Sequence, residues 1–186
     1  VGAVAGVCFG FIGNRMIEAY LEEVQAMLKQ PVIRAFFDEP TNTVSYLVAD
    51  PATRKAAIID PVLDYDHNAG TVDTRSVETM LKAANEAGFT VEWVLETHAH
   101  ADHLSGAPYI KAKTGAKIGI GEHIKDVQRI FRPVFNATDL ATDGSDFDHL
   151  FKDGERFKIG ELDAEALYTP GHTPADLSYK IEDAVF

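Results

Sequence analysis

Residues 97–106 read Thr-His-Ala-His-Ala-Asp-His-Leu-Ser-Gly and follow directly on an apolar run, Val91 to Leu95. Three histidines and one aspartate fall within six positions, at the end of a segment that reads as a buried strand. Solvated surface residues rarely gather in this way, and the pattern restricts the fold more than any other. A buried strand puts rigid backbone beneath a loop, and the loop can turn several side chains toward one point. His98 and His100 are two apart, so they project to the same side of an extended segment. Asp102 and His103 follow where a turn aims them at a second point. Neutral imidazole and carboxylate are ligands for zinc and non-haem iron. The set can hold two metals side by side, or one metal with an outer layer of hydrogen-bonding groups.

A metal site takes ligands from more than one segment. The second segment is Thr169-Pro-Gly-His-Thr-Pro174, a stiff turn after an apolar run. Prolines on both sides limit its conformations and make it a good mount for His172. Taken alone, His172 would be an ordinary exposed turn histidine; the first cluster makes it a candidate ligand. His67, His123 and His149 lie in polar surroundings and read as surface residues.

At 186 residues, 46% of them hydrophobic and 25% charged, the chain is long enough to bury one domain core. The formal net charge of −12 argues against a general affinity for nucleic acid, which needs clustered Lys and Arg. The one cysteine, Cys8, allows no intrachain disulfide and fits a reducing, cytoplasmic setting. The apolar opening Val1–Gly13 is shorter than the ~20 residues that span a bilayer. It lacks a basic stretch ahead of it, so neither a membrane span nor a signal peptide is expected.

The character of the chain changes near residue 30. Residues 14–29 are expected to be helical, capped by Asn14, with Met16, Ile17, Tyr20, Leu21, Val24, Met27 and Leu28 on one stripe. Then Val32–Phe37, Thr43–Ala49 and Lys55–Ile59 read as strands of an antiparallel meander. Thr74–Ala87 reads as a helix, with Gly88 suited to the left-handed position that ends it. Val91–Glu96 is the strand that delivers the histidines. Leu104–Lys113 is expected to be helical, Ala116–Ile120 a strand, and Ile124–Phe131 a helix stopping before Pro133. Asn136–Phe147 is loop-like. Phe157–Ile159 and Ala164–Tyr168 are strands, and Leu177–Ile181 with Ala184–Phe186 forms a hairpin around Glu182-Asp183.

On these residues the chain from 30 to 186 resembles the metallo-β-lactamase superfamily. The resemblance is carried by Thr97–His103, the Thr169–Pro174 turn and the strand ending at Asp60. Within it, Glu96-Thr-His-Ala-His-Ala-Asp-His-Leu-Ser-Gly-Ala107 is closest in pattern to the persulfide (sulfur) dioxygenases, whose bacterial members include β-lactamase hydrolase-like proteins. Thr43-Val-Ser-Tyr-Leu-Val, Ala57-Ile-Ile-Asp-Pro and Gly171-His-Thr-Pro-Ala-Asp-Leu-Ser support the same branch. The resemblance implies an α+β fold, the αββα sandwich, with a metal at one edge. It implies one Fe(II), bound by His98, His172 and an aspartate, with His100, Asp102 and His103 shaping the outer layer. The expected reaction is oxidation of glutathione persulfide by O2 to sulfite, and a homodimer is compatible with it. Arg75 and Tyr65 are weak candidates for meeting the glutathione carboxylates.

In the dioxygenases the iron-binding aspartate lies in a Gly-Asp-Thr-Leu-Phe-like segment after the strand that begins here as Ala184-Val-Phe186. The sequence given stops before it, so the expectation is a C-terminally truncated sandwich with little activity and an unpaired sheet edge. Residues 1–28, through Gly6-Val-Cys-Phe-Gly-Phe-Ile-Gly-Asn-Arg-Met16, resemble a short piece of 3-hydroxyacyl-CoA dehydrogenase, the entry into its C-terminal helical domain. The expected organisation is therefore that fragment as a helical appendage over 1–29, then the metallo-β-lactamase-like domain over 30–186. The alternative function is a dinuclear zinc thioester hydrolase of the glyoxalase II kind, using His98, His100, Asp102, His103 and His172 with two Zn(II). The alanines within the histidine motif favour the dioxygenase, because hydrolases of that kind often carry bulkier residues there. A third possibility is a non-catalytic fold fragment.

Overall fold

The computed structural model describes Met16, Ile17, Tyr20 and residues 30–186. Those first three residues are helical and exposed. The rest of the helix expected over 14–29, and nearly all of the dehydrogenase-like stretch 1–28, lie outside the described residues.

The meander forms as its apolar runs dictate. Strands β1 (Val32–Asp38), β2 (Thr43–Ala49) and β3 (Lys55–Ile59) pair antiparallel. Two short strands follow, β4 (Val62–Asp66) and β5 (Thr71–Asp73), and then helix α1 (Arg75–Glu86). Gly88, with φ 73°, reverses the chain behind α1, a conformation that side chains with a Cβ rarely adopt. Strand β6 (Thr90–Leu95) then pairs parallel to β3. Next come β7 (Leu104–Ser105), α2 (Ala107–Thr114), β8 (Lys117–Gly121), α3 (Ile124–Val134) and β9 (His149–Phe151). These complete a six-stranded sheet of order β1-β2-β3-β6-β8-β9. Strands β10 (Glu155–Ile159), β11 (Leu162–Tyr168), β12 (Leu177–Ile181) and β13 (Ala184–Val185) make an antiparallel four-stranded sheet, and β5-β4-β7 make a third, small one.

Period-two alternation sorts the core into two sides. Leu47, Ala49, Ala56, Ile58, Val94 and Ile118 face Val77, Met80 and Ala84 of α1 and Ile110 of α2. Their neighbours Val48, Ala57, Ile59 and Leu95 face the other way, onto Ile159, Leu162, Ala166, Leu177, Tyr179 and Ile181 of the second sheet. Each fully buried Val, Leu, Ile or Met side chain here contributes about 1.5–3 kcal/mol of transfer free energy. The layers are thus helix, sheet, sheet. The outer helical layer of the expected αββα order is not among the described residues. The outer face of the four-stranded sheet is polar instead, with Arg156, Lys158 and Lys180 exposed.

Two helix boundaries differ from expectation. Leu104 and Ser105 belong to a strand that pairs with Val62 and Leu63, and α2 starts only at Ala107, with Pro108 in its first turn where a missing N–H is harmless. Helix α3 runs past Phe131 and takes Pro133 into its last turn. The hairpin at the C-terminal end forms with a short second strand, Ile181↔Ala184 and Lys180↔Val185, and leaves Val185 exposed.

Candidate metal centre

The parallel register decides what meets at the rim. Ile59 lies beside Leu95, and Leu95 beside Gly119, so Asp60 and the pair Glu96-Thr97 leave adjacent strands at the same end. Carboxyl ends of parallel strands are where open α/β sheets gather their ligands. Asp60 takes the Thr97 N–H at Oδ1 and the Thr97 hydroxyl at Oδ2, both at 2.8 Å. It adopts φ 48°, a left-handed conformation that Asp tolerates better than most residues.

The Thr97 hydroxyl has one hydrogen, and Asp60 receives it. Toward His98 Nδ1, 2.9 Å away, the same oxygen is therefore an acceptor. Nδ1 carries the proton, and the His98 Nε2 lone pair is left free for a cation. Burial, and then the neighbouring His100, hold the His98 pKa below the ordinary imidazole value, so the ring is neutral at pH 7. His103 is held down by the same two causes in the same order. Burial pushes Asp102 up, but its own backbone N–H, the Thr43 hydroxyl (3.1 Å) and His103 outweigh it and keep the carboxylate ionised.

His172 arrives from the other sheet. Its turn is tied down by the Thr173 N–H to Asp176 Oδ2 at 2.7 Å, the Thr173 hydroxyl to Asp176 Oδ1, and the Thr169 N–H to the Asp176 carbonyl at 3.1 Å. The Tyr168 hydroxyl closes the turn onto the Pro174 carbonyl at 2.8 Å. The Leu177 N–H bonds the Thr97 carbonyl at 2.9 Å and so fixes one loop against the other. His98 and His172 then stand edge to face with ring centroids 5.0 Å apart. His98 and His100 are 4.0 Å apart, and His100 and His103 are 4.3 Å apart. Asp176 Oδ1 lies 3.8 Å from His98 Nδ1.

Among the described residues, two groups bring ligand atoms within 4.8 Å of one another: His100, Asp102 and His103, and Asp60, Glu96 and His100. The His103 side chain is 1% exposed, and its Nε2 is buried with no hydrogen-bond partner. Neutral imidazoles, an ionised carboxylate and a buried nitrogen without a partner are a donor set that fits a divalent cation.

The remaining sequence candidates divide. Tyr65 and Arg75 line a cavity of about 720 Å³ that reaches His100, Asp102 and His103. Arg75 is already paired with Asp73 at 2.7 Å. His67 borders the same cavity. His123 stacks on Tyr168, the residue that clamps the His172 turn. His149 is half-buried rather than superficial; it bonds Glu155 and packs against Trp93 and Phe151, away from the rim. Asp60, Glu96, Thr97 and Asp176 lie within the motifs quoted from the sequence but have no site role assigned there. The available signal was a polar residue directly after a buried apolar strand, as in Ile58-Ile59-Asp60 and Val94-Leu95-Glu96.

The chain is similar to several known proteins. The β-lactamase hydrolase-like protein of Agrobacterium fabrum (strain C58) is 47% identical over 156 residues, 84% of this chain and 36% of that protein. Glyoxylase B2 of Dictyostelium discoideum is 44% identical over 163 residues, 86% of this chain and 56% of that one. The mitochondrial persulfide dioxygenase ETHE1 of Bos taurus is 23% identical over 152 residues, 82% and 48% of the two chains. Among solved structures, ETHE1 from Myxococcus xanthus superposes with a TM-score of 0.65 at 28% identity, covering 83% of this chain and 56% of that one. The chain thus spans between 36% and 56% of the length of these relatives. A profile of the metallo-beta-lactamase superfamily matches residues 38–186, which run from the end of β1 through β13 and take in both histidine-bearing loops, and the chain belongs to that superfamily.

Proposed function

We propose that this chain carries part of the metal centre of a glutathione persulfide dioxygenase. The observation that supports it most is the apposition of His172 and a neutral, preset His98, from two loops at the sheet edge. Two histidines and one carboxylate are a donor set that would suit iron, and a bound iron would supply the redox chemistry that joins persulfide sulfur to O2. The overall change balances as glutathione persulfide plus O2 plus water giving glutathione, sulfite and protons. The chain's own residues bind and orient. His98 and His172 would hold the ion. Thr97 and Asp60 fix the face that His98 presents. Asp102, His100 and His103 supply charge and hydrogen bonds beside it. By the dioxygenase resemblance the third ligand would be an aspartate after the strand that begins at Ala184. The activity is therefore assigned to a chain of the relatives' length.

One observation favours a second reading, a dinuclear zinc thioester hydrolase. His100, Asp102 and His103 already gather as a second potential ligand set, which one iron does not use. The two readings separate in one experiment on a chain extended to the relatives' length. Bound iron and zinc are measured by mass spectrometry. O2 uptake with glutathione persulfide is followed beside hydrolysis of S-lactoylglutathione. One iron per chain with O2 uptake supports the dioxygenase. Two zinc ions with thioester cleavage and no O2 uptake removes it.

A further inference from the structure

His123 serves neither reaction and reads from sequence as a surface residue, yet its ring lies flat on the residue that closes the His172 turn. The His123 and Tyr168 rings stack with centroids 4.4 Å apart and planes 28° from parallel. Rings at that separation attract each other beyond mere burial. Tyr168 is the last residue of β11, and its N–H is pinned to Asp153 Oδ1 at 2.8 Å. With the backbone held, the ring moves only by rotation about its own side-chain bonds. The far end of that ring carries the hydroxyl that donates to the Pro174 carbonyl at 2.8 Å, so a swing of the ring opens the turn between them.

The mount for His123 is rigid. It lies at the corner between β8 and α3, where the Glu122 N–H bonds the Phe151 carbonyl at 2.9 Å and the His123 carbonyl accepts the Asp126 N–H at 2.9 Å. Ile124 and Gln128 bury one side of α3, and the Gln128 amide bonds both Asp146 and the Gly144 N–H at 3.0 Å. Asp126 Oδ2 lies 3.2 Å from His123 Nδ1, and Arg129 holds Asp126 Oδ1 at 2.5 Å, which sets the angle of the imidazole. A second contact presses the same corner against the same turn: a Cβ on Gly121 would lie 2.8 Å from Leu177 Cγ and 3.5 Å from the Ala175 carbonyl. We propose that His123 is a positioning residue: its ring backs Tyr168 and so keeps the turn where His172 meets His98. The proposal rests on His172 being a metal ligand, not on which metal or reaction it serves. Packing that locks the side chains behind a ligand is what holds such a site to its working geometry.

Amide hydrogen exchange, followed by NMR on the metal-free chain, tests this. The Gly171 N–H bonds the Thr173 carbonyl and the Thr173 N–H bonds Asp176, so both report opening of the turn; the Glu96 N–H, bonded to the Gly119 carbonyl, reports the body of the fold. In His123→Ala, loss of the stacked ring is expected to speed exchange at Gly171 and Thr173 by about 2- to 12-fold and to leave Glu96 unchanged. The His123 side chain is 40% exposed, so the variant is expected to fold. His123→Phe keeps a flat ring without the contact to Asp126 and is expected to restore both rates. Unchanged rates in His123→Ala overturn the proposal, as do rates raised equally at Glu96 or rates that His123→Phe fails to restore. Zinc affinity, read by chelator competition, is expected to fall by the same factor in His123→Ala and to return in His123→Phe. If His172→Ala weakens zinc binding and His123→Ala does not, the proposal fails. If His172→Ala itself changes nothing, the metal-centre reading fails, and the exchange rates still decide what His123 does to the turn.

Discussion

Thr97→Val removes one hydroxyl and changes little else in shape, so its effects follow from two contacts. The first is the hydrogen bond to Asp60 Oδ2 at 2.8 Å. A hydrogen bond to a charged acceptor is worth about 1.5–3 kcal/mol, and Asp60 is left short of a donor when it goes. A loss of about 2 kcal/mol is expected, which for a chain of this size lowers the melting temperature by roughly 4–8 °C. The second is the contact with His98 Nδ1 at 2.9 Å. Without Oγ1 the Nδ1 proton meets a methyl group, and the next acceptor, Asp176 Oδ1, is 3.8 Å away. The His98 tautomer is then no longer fixed. Losing such a partner weakens metal binding about 10- to 100-fold. Calorimetry of the metal-free chain reads the first effect. Competition for zinc against a chromophoric chelator reads the second. Thr97→Ser keeps the hydroxyl and is expected to restore both. Zinc affinity of Thr97→Val within twofold of wild type would refute the tautomer argument, as would a Thr97→Ser variant as weak as Thr97→Val.

Three further outcomes follow from the same geometry. Asp50 is 1% exposed and accepts from the Ala52 N–H, the Thr53 hydroxyl and the Glu161 N–H, tying the turn after β2 to the turn after β10. Burial pushes its pKa up, but those donors outweigh it and hold the carboxyl below its ordinary range. A depressed folded pKa gives stability that is present above the unfolded value, about 3.9, and is lost as pH falls through the folded value. Asp50→Asn should therefore cost about 2 kcal/mol at pH 7, with the gap closing below about pH 4 in urea titrations; a gap that widens on acidification contradicts this. Gly106→Ala puts a Cβ 2.2 Å from Val77 Cγ1 and 3.3 Å from the Pro61 carbonyl. It should destabilise by about 1–3 kcal/mol, and an unchanged melting curve would show that the α1–α2 contact has slack. Tyr168→Phe frees the Pro174 carbonyl from its clamp. Stability should fall by about 1 kcal/mol, and zinc affinity should fall with it because the His172 turn loosens; an affinity equal to wild type would mean the Asp176 bonds hold the turn unaided.

The parts of the fold that were legible from sequence are those in which an apolar run is long enough to specify its own burial. Thr43–Ala49 and Lys55–Ile59 form strands with those bounds, because each fills both sides of a central strand. Helix α1 was legible from Val77, Met80 and Ala84 on one face and Gly88 behind it. Short strands were not. Val62–Asp66 and Thr71–Asp73 are mostly polar or exposed and exist because they pair with each other and with Leu104–Ser105. No local pattern encodes that pairing, and it drew Leu104 out of the helix expected there. Pro133 misled in the opposite direction, since a proline in a last turn removes a hydrogen bond that α3 can spare.

For the rim, the histidines announced themselves because four metal-competent residues in six positions are improbable otherwise. Their supports did not. Asp60 is 37 residues from Thr97 in sequence and reaches it only through the parallel register of β3 and β6. Asp176 looks like one more polar residue after a turn until Thr173 is seen bonded to both its oxygens. Glu96 sits inside the motif itself, yet nothing in its spacing shows that it points inward, toward His100, rather than out to solvent.

The central claim is that histidines from the β6 loop and the Thr169–Pro174 turn share one cation. Crystals of the chain grown with zinc and measured on both sides of the zinc absorption edge test it directly. An anomalous peak about 2.1 Å from a ring nitrogen of His98 and of His172 together is the expected result. Strong zinc peaks that engage neither ring, or only one of the two, contradict it.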